Sequence, residues 1–169
     1  MVSTLSYVIR AASAADCERL ATLRLRLQDL LEQENPSLWR MTPPRRAGLP
    51  DFYAESIADA GVQVLVAEVA GSGARCIVGT AMGRIEAGRD VARFGSIEDV
   101  WVEPEYRGQG LGRALVQQLA DFFHASGVEK LSVGFVHGGT AAALWQRLGF
   151  QPAVVVANSD VASVRARSR

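Results

Sequence analysis

Histidine and cysteine are scarce: the 169 residues contain two of each. Cys17, Cys76, His124 and His137 fall in no metal-ligand spacing, so no zinc motif is expected and no metal is called for. The two thiols read as small apolar residues of a helix and a strand. Surplus charge is missing as well. Lys plus Arg number 18 and Asp plus Glu 18, a formal net charge of zero, which argues against a general polyanion binder and against nucleic acid as the main partner. No apolar run is long enough to cross a bilayer, and the first residues lack the charged and apolar regions of a secretory leader. The expectation is a soluble, cytoplasmic protein without a membrane partner. Internal repeats and low-complexity linkers are absent too, so 169 residues with 49% hydrophobic content suit one compact domain.

What is present is a regular alternation of strand and helix patterns. Thr4–Ala11 reads as a strand, and Ser13 with Asp16 has capping-box spacing. Leu20, Leu23, Leu27, Leu30 and Leu31 recur at helical spacing to about Gln33. Pro36, Pro43, Pro44 and Pro50 then predict loop, with a weaker helix over Asp51–Ala60. Val62–Ala70 and Cys76–Arg84 read as a hairpin about Gly71-Ser72-Gly73, and a second turn spans Glu86–Asp90. Phe94–Val102 reads as a central strand, Gly110–Ala125 as an amphipathic helix, Lys130–Val136 as a strand and Thr140–Leu148 as a short helix closed by Gly149. Together these predict one α/β domain of the α+β type over residues 1–157, with 158–169 a disordered tail ending in Arg165, Arg167 and Arg169.

The chemistry is concentrated between Ser96 and Arg113. A strand runs into Pro104, and Gly108, Gly110 and Gly112 then open the amphipathic helix. Such glycines permit unusual dihedrals and close approach of a ligand. The helix start adds unpaired N–H groups and the positive end of the dipole. With Arg107 and Arg113 alongside, the turn is suited to a pyrophosphate. Gly112-Arg113-Ala114 lacks the Lys-Ser/Thr of a Walker A loop, and glycines at every second residue do not match the dinucleotide fingerprint.

Arg107-Gly108-Gln109-Gly110-Leu111-Gly112 resembles the Arg/Gln-x-x-Gly-x-Gly/Ala signature of GCN5-related N-acetyltransferases, supported on either side by Val100–Tyr106 and Leu144–Phe150. The resemblance implies a mostly antiparallel mixed sheet of about six to seven strands flanked by about four helices. It also implies acetyl-CoA as co-substrate, direct acetyl transfer to a primary amine, and pairing as a homodimer. Val100, Trp101 and Val102 would then hold the pantetheine arm. Gly108, Gln109, Gly110, Leu111, Gly112 and Arg113, with Arg107, would hold the phosphates, and Thr140, Leu144 and Trp145 would line the thiol end.

Glu98 and Asp99 are the candidate catalytic bases. Strand alternation puts them on opposite faces, so only one is expected in the cleft; Glu98 is favoured because Ile97-Glu98-Asp99 resembles the polyamine-acetylating branch. The sequence departs from the family pattern at two places: Trp145 stands where many relatives have a proton-donating tyrosine, and Gly138 where many have asparagine. His137 is a candidate to replace the missing acid. The acceptor is expected to be a small-molecule amine. Rival readings are a non-catalytic acyl-CoA sensor on the same fold, an acetyltransferase acting on protein N-termini or lysines, and a nucleotide-binding module.

Overall fold

The computed structural model describes residues 6–70, 75–86, 94–136, 138–154, 157, 159 and 161–167. Five strands form one sheet in sequence order: β1 (Tyr7–Ala11), β2 (Val62–Ala70), β3 (Arg75–Glu86), β4 (Phe94–Val102) and β5 (Lys130–Val133). The first three pairings are antiparallel and β4–β5 is parallel. Five strands among the described residues replace the expected six to seven. Residues 134–136 and 150–154 carry no strand, so β5 stops three residues before its predicted end.

The apolar run of β2 reflects a sheet covered on both sides. Val64 and Val66 face one helical layer, α1 (Cys17–Glu34) and α4 (Leu49–Ala58), where Leu20 and Tyr53 are fully buried. Leu65, Ala67 and Val69 face the other, α5 (Leu111–Ala125), with Leu115, Leu119 and Phe123. Phe123 packs closely on the sheet because Gly83 and Gly95 leave room for it: a Cβ there would stand 2.8 Å and 2.5 Å from its ring.

Between α1 and α4 the prolines do the opposite of what the sequence predicts. Pro36 and Pro43 each begin a short helix, α2 (Pro36–Trp39) and α3 (Pro43–Ala47), and Pro50 lies in the first turn of α4. At the first helical position proline loses no hydrogen bond and its φ is already helical. A polar ladder on α1 fixes this segment. Arg24 donates to Gln28 (2.9 Å), and Gln28 donates to Glu32 (2.8 Å) and to the Trp39 carbonyl. Glu32 also accepts from the Met41 amide (2.9 Å) and from Arg46 (2.8 Å). The Met41 amide, Gln28 and Arg46 together hold the Glu32 carboxyl down at about 2.

At the start of α1 the predicted capping box forms across a 3₁₀ turn: the Ser13 amide donates to Asp16 Oδ2 at 2.7 Å. Arg10 bridges Asp16 and Glu68, at 2.8 and 2.6 Å. After the sheet come α6 (Ala142–Arg147) and α7 (Val161–Arg167). The second is a short helix with no buried residue, where a disordered tail is expected. Arg165 and Arg167 in its last turn suit the negative end of its dipole.

Candidate functional site

β4 holds the centre of the site. It pairs with β5 only from Phe94↔Lys130 to Ile97↔Val133, and beyond Ile97 the two strands separate. On its other side, Met82 pairs with Glu98 and Thr80 with Trp101, so Asp99 and Val100 together oppose Ala81. This is a bulge, and Asp99 takes the left-handed conformation, φ 53°. The extra residue breaks the alternation. Glu98 and Asp99 therefore line the same cavity, which corrects the expectation that they face opposite ways.

The two carboxylates differ in their surroundings. Asp99 is clamped between Arg24 Nε (2.7 Å) and the Tyr53 hydroxyl, which donates at 3.0 Å. Burial pushes the Asp99 carboxyl up, opposed by Arg24 and by the Tyr53 hydrogen bond. Burial, with the Asp99 charge beside it, pushes the Tyr53 phenol up as well. Glu98 accepts from Ser96 Oγ at 2.9 Å, its side chain 36% exposed, with Arg84 3.9 Å away.

At the far end of β4, Glu103 is buried. It accepts from Arg19 (2.8 Å), the Trp101 indole (3.2 Å) and Arg26, which pins α1 to the start of the turn. Burial raises the Glu103 carboxyl, but these three donors bring it below its ordinary value. Gly108 (φ 75°) and Gly110 (φ 88°) then adopt the left-handed conformation for which side-chain residues are strained. Gly112 does not; it sits in the first turn of α5, its Cβ position 3.8 Å from Val102. The turn opens on a cavity of about 480 Å³ lined by Val100, Trp101, Val102, Gly108, Gly110 and Gly112, with Leu111, Arg107, Arg113, Thr140 and Leu144 around it.

Of the residues predicted for this half, Gln109 does not line the cavity; its amide donates to the Glu105 carbonyl at 3.2 Å. Arg107 is partly committed, since its Nε donates to the Val102 carbonyl (2.9 Å) and its guanidinium stacks 4.5 Å over Trp101. Arg113 has no ion-pair partner among the described residues and is exposed at the cavity rim. Tyr106 and Arg147 also line it, and sequence reasoning missed both. Arg147 stands on α6, where the sequence directs attention to Leu144 and Trp145.

A second cavity, of about 460 Å³, adjoins the first and shares Leu27, Leu30, Val100, Thr140, Ala141 and Leu144 with it. Glu98 and Asp99 line it, together with Arg24, Glu34, Trp39, Met41, Arg45 and Phe52 from α1 to α4. The α1 leucine stripe has two uses: Leu20 and Leu23 are fully buried, whereas Leu27 and Leu30 line both cavities. No sequence signal separates the two halves of that stripe. Glu34 reaches across to the turn before α6, accepting from the Thr140 amide (3.0 Å) and hydroxyl (2.9 Å). Trp145 lines this second cavity as a 4% exposed wall, edge-on to Phe150 at 5.4 Å. His137 lies outside the described residues. No group of three or more potential metal ligands, and no helix long and apolar enough to cross a membrane, occurs among the described residues.

The sequence model of the acetyltransferase (GNAT) family matches residues 24–150. Among curated protein sequences, none matches. Several solved structures share the fold. One is a predicted acetyltransferase from Clostridium acetobutylicum with acetyl-CoA, at 17% identity and TM-score 0.73, covering 94% of this chain and 98% of that one. A second is glucosamine-6-phosphate N-acetyltransferase from Arabidopsis thaliana, at 21% identity and TM-score 0.66, covering 92% and 99%. A third is a GCN5-related N-acetyltransferase from Ralstonia eutropha, at 16% identity and TM-score 0.70, covering 92% and 99%.

Proposed function

The chain belongs to the GNAT acetyltransferase family, and on that premise we propose that it transfers an acetyl group directly from acetyl-CoA to a small primary amine. The observation that carries this reading is the junction of the two cavities. A glycine-built anion cradle lies on one side of Val100 and a carboxylate-lined chamber on the other.

The residues on the cofactor side suit a pyrophosphate. The first N–H groups of α5 have no partner within the helix. Gly112 leaves open a space that a side chain would fill, and Arg113 and Arg147 add charge at the rim. When bound, acetyl-CoA supplies an acetyl group activated as a thioester. Arg107 supports the cradle from within, tying the turn back to β4 through the Val102 carbonyl.

On the acceptor side the task is proton removal. An alkyl amine with a pKa of about 10.4 is free base in roughly one molecule per thousand at neutral pH, a cost of about 4 to 5 kcal/mol. Glu98 is the base we propose, directly or through one water. Its carboxylate is partly exposed in the chamber and accepts one hydrogen bond, from Ser96. Asp99 is the positioning residue instead, both oxygens being held by Arg24 and Tyr53. The attacking nitrogen forms the amide bond, the carbon–sulfur bond breaks, and the departing thiolate takes its proton from water. A thiol of pKa about 8.5 leaves without a dedicated acid near neutral pH, which is consistent with a tryptophan at position 145. The relative that acts on glucosamine-6-phosphate favours a small acceptor over a protein one.

Thiol release from acetyl-CoA with a panel of small amines tests the reading. Glu98→Gln should leave the acetyl-CoA KM within about twofold and lower kcat by about 10² or more, with the loss greatest at low pH. An unchanged pH–rate profile would remove Glu98 from the mechanism. Turnover confined to lysine peptides or protein N-termini would remove the small acceptor.

A further inference from the structure

The acceptor cavity is lined by charges of both signs, Arg24 and Arg45 against Glu34, Glu98 and Asp99. Asp99 is taken by Arg24 and Tyr53, whereas Glu34 accepts on Oε1 from the neutral amide and hydroxyl of Thr140. Next to the cavity, Asp29 and Glu32 are taken by Arg46. Among the described residues, Glu34 and Glu98 are the acids of the lining that no arginine of α1 to α3 holds, and Arg84 stands 3.9 Å from Glu98.

Among the arginines of α1 to α3, Arg19, Arg24, Arg26 and Arg46 each hold a carboxylate. Arg40 and Arg45 hold none among the described residues, and of these two Arg45 alone lines the cavity. Its guanidinium is braced 4.8 Å above the Phe52 ring, which lines the cavity as well. The Trp39 indole N–H, on another lining residue, is buried without any hydrogen-bond partner. Unsatisfied buried donors are rare, so this wall is short of acceptors, beside an arginine that holds no carboxylate among the described residues. Leu31, Met41, Leu49 and Phe135 add apolar surface to the chamber.

Resting on the acetyl-transfer reading, we infer that the acceptor is a primary amine with an apolar body and an oxyanion, carboxylate or phosphate, whose negative group is read by Arg45 while the amine meets Glu98.

The test uses the full chain with saturating acetyl-CoA and thiol release as the readout. One series is phenylalanine, phenylalaninamide and phenethylamine; a second is 4-aminobutyl phosphate against 4-aminobutanol. The oxyanion member should lead its series in kcat/KM. In Arg45→Met that lead should shrink about tenfold to a hundredfold, mainly through KM. Comparing the variant's ratio with the wild-type ratio cancels the different basicities of the amines. Arg40→Met should keep the lead, and an unchanged melting shift with acetyl-CoA would show that Arg45→Met retains the cofactor half. Whichever series leads identifies the oxyanion. Neutral members that match or beat the anionic ones, or an unaltered ratio in Arg45→Met, would overturn the inference while leaving acetyl transfer intact. Absence of turnover with every small amine would overturn the transferase reading beneath it, and the inference with it.

Discussion

The two halves of the site are built by opposite means. The cradle of the proposed cofactor half is made of backbone: two left-handed glycines and the open end of a 15-residue helix, all within Gly108–Ala125. The proposed acceptor half is made of side chains from α1 to α4 that meet β4 across sequence separations such as the 46 positions from Tyr53 to Asp99. A backbone site demands particular residue types at fixed spacing, because only glycine tolerates the dihedrals and the close approach. A side-chain site demands only that some residue of suitable chemistry reach the place. The first leaves a motif in the sequence, and the second leaves almost none.

The difference can be tested by removing one element from each half. The largest effect is expected at Gly112. Its φ is ordinary and its Cβ position meets only Val102 at 3.8 Å, so Gly112→Leu should fold normally while its side chain fills the cradle. Acetyl-CoA affinity should fall by about a hundredfold or more, measured by titration calorimetry, with the melting temperature of the free protein within about 3 °C of wild type. Gly110 is a poorer probe, because its φ of 88° would strain any side chain.

In the acceptor half, Tyr53→Phe removes a donor to a buried carboxylate without opening a cavity. The expected loss is about 1.5–3 kcal/mol of stability, read from denaturant unfolding. The KM for the amine should rise while the acetyl-CoA Kd stays within about twofold. Equal damage to both ligands would mean that the two halves are not separately built.

The smallest effect concerns neither half. Asp16 is held at about 2 chiefly by the Arg10 hydrogen bond, below its ordinary value of 3.8. A carboxyl lowered on folding contributes stability above its unfolded pKa and loses it as pH falls through the folded one. The stability difference between wild type and Asp16→Asn should therefore be constant from pH 7 to about 4, and should shrink between about 4 and 2. A difference that persists undiminished at pH 2 would mean that the Arg10 pair is not its source.

How much of this was readable in the sequence follows the same division. β2 and β4 fall on their predicted residues, Val62–Ala70 and Phe94–Val102, because their apolar patterns face helices on both sides of the sheet. The glycine turn was readable for the reason given above. The prolines of residues 36–50 misled, since proline signals a helix start as readily as a break, and only the Glu32 ladder on α1 decides which. The bulge at Asp99 was equally invisible. Nothing in Ile97-Glu98-Asp99-Val100 announces a left-handed residue, and it is Arg24 and Tyr53, distant in sequence, that hold it. Alternation therefore predicted one carboxylate in the cleft where two are found. Arg45 was visible as one of several charges of both signs; its lack of a carboxylate partner emerges only when every neighbouring acid is assigned.

The most direct test of the central claim is the melting temperature of the wild-type chain with acetyl-CoA, CoA, ATP and NADH at one concentration. A ligand at 100 times its Kd adds about 2.7 kcal/mol, roughly 5–10 °C for a domain of this size. A shift of that order is expected with acetyl-CoA and with CoA, and little with NADH. No shift with either CoA species, or an equal shift with NADH, would contradict it.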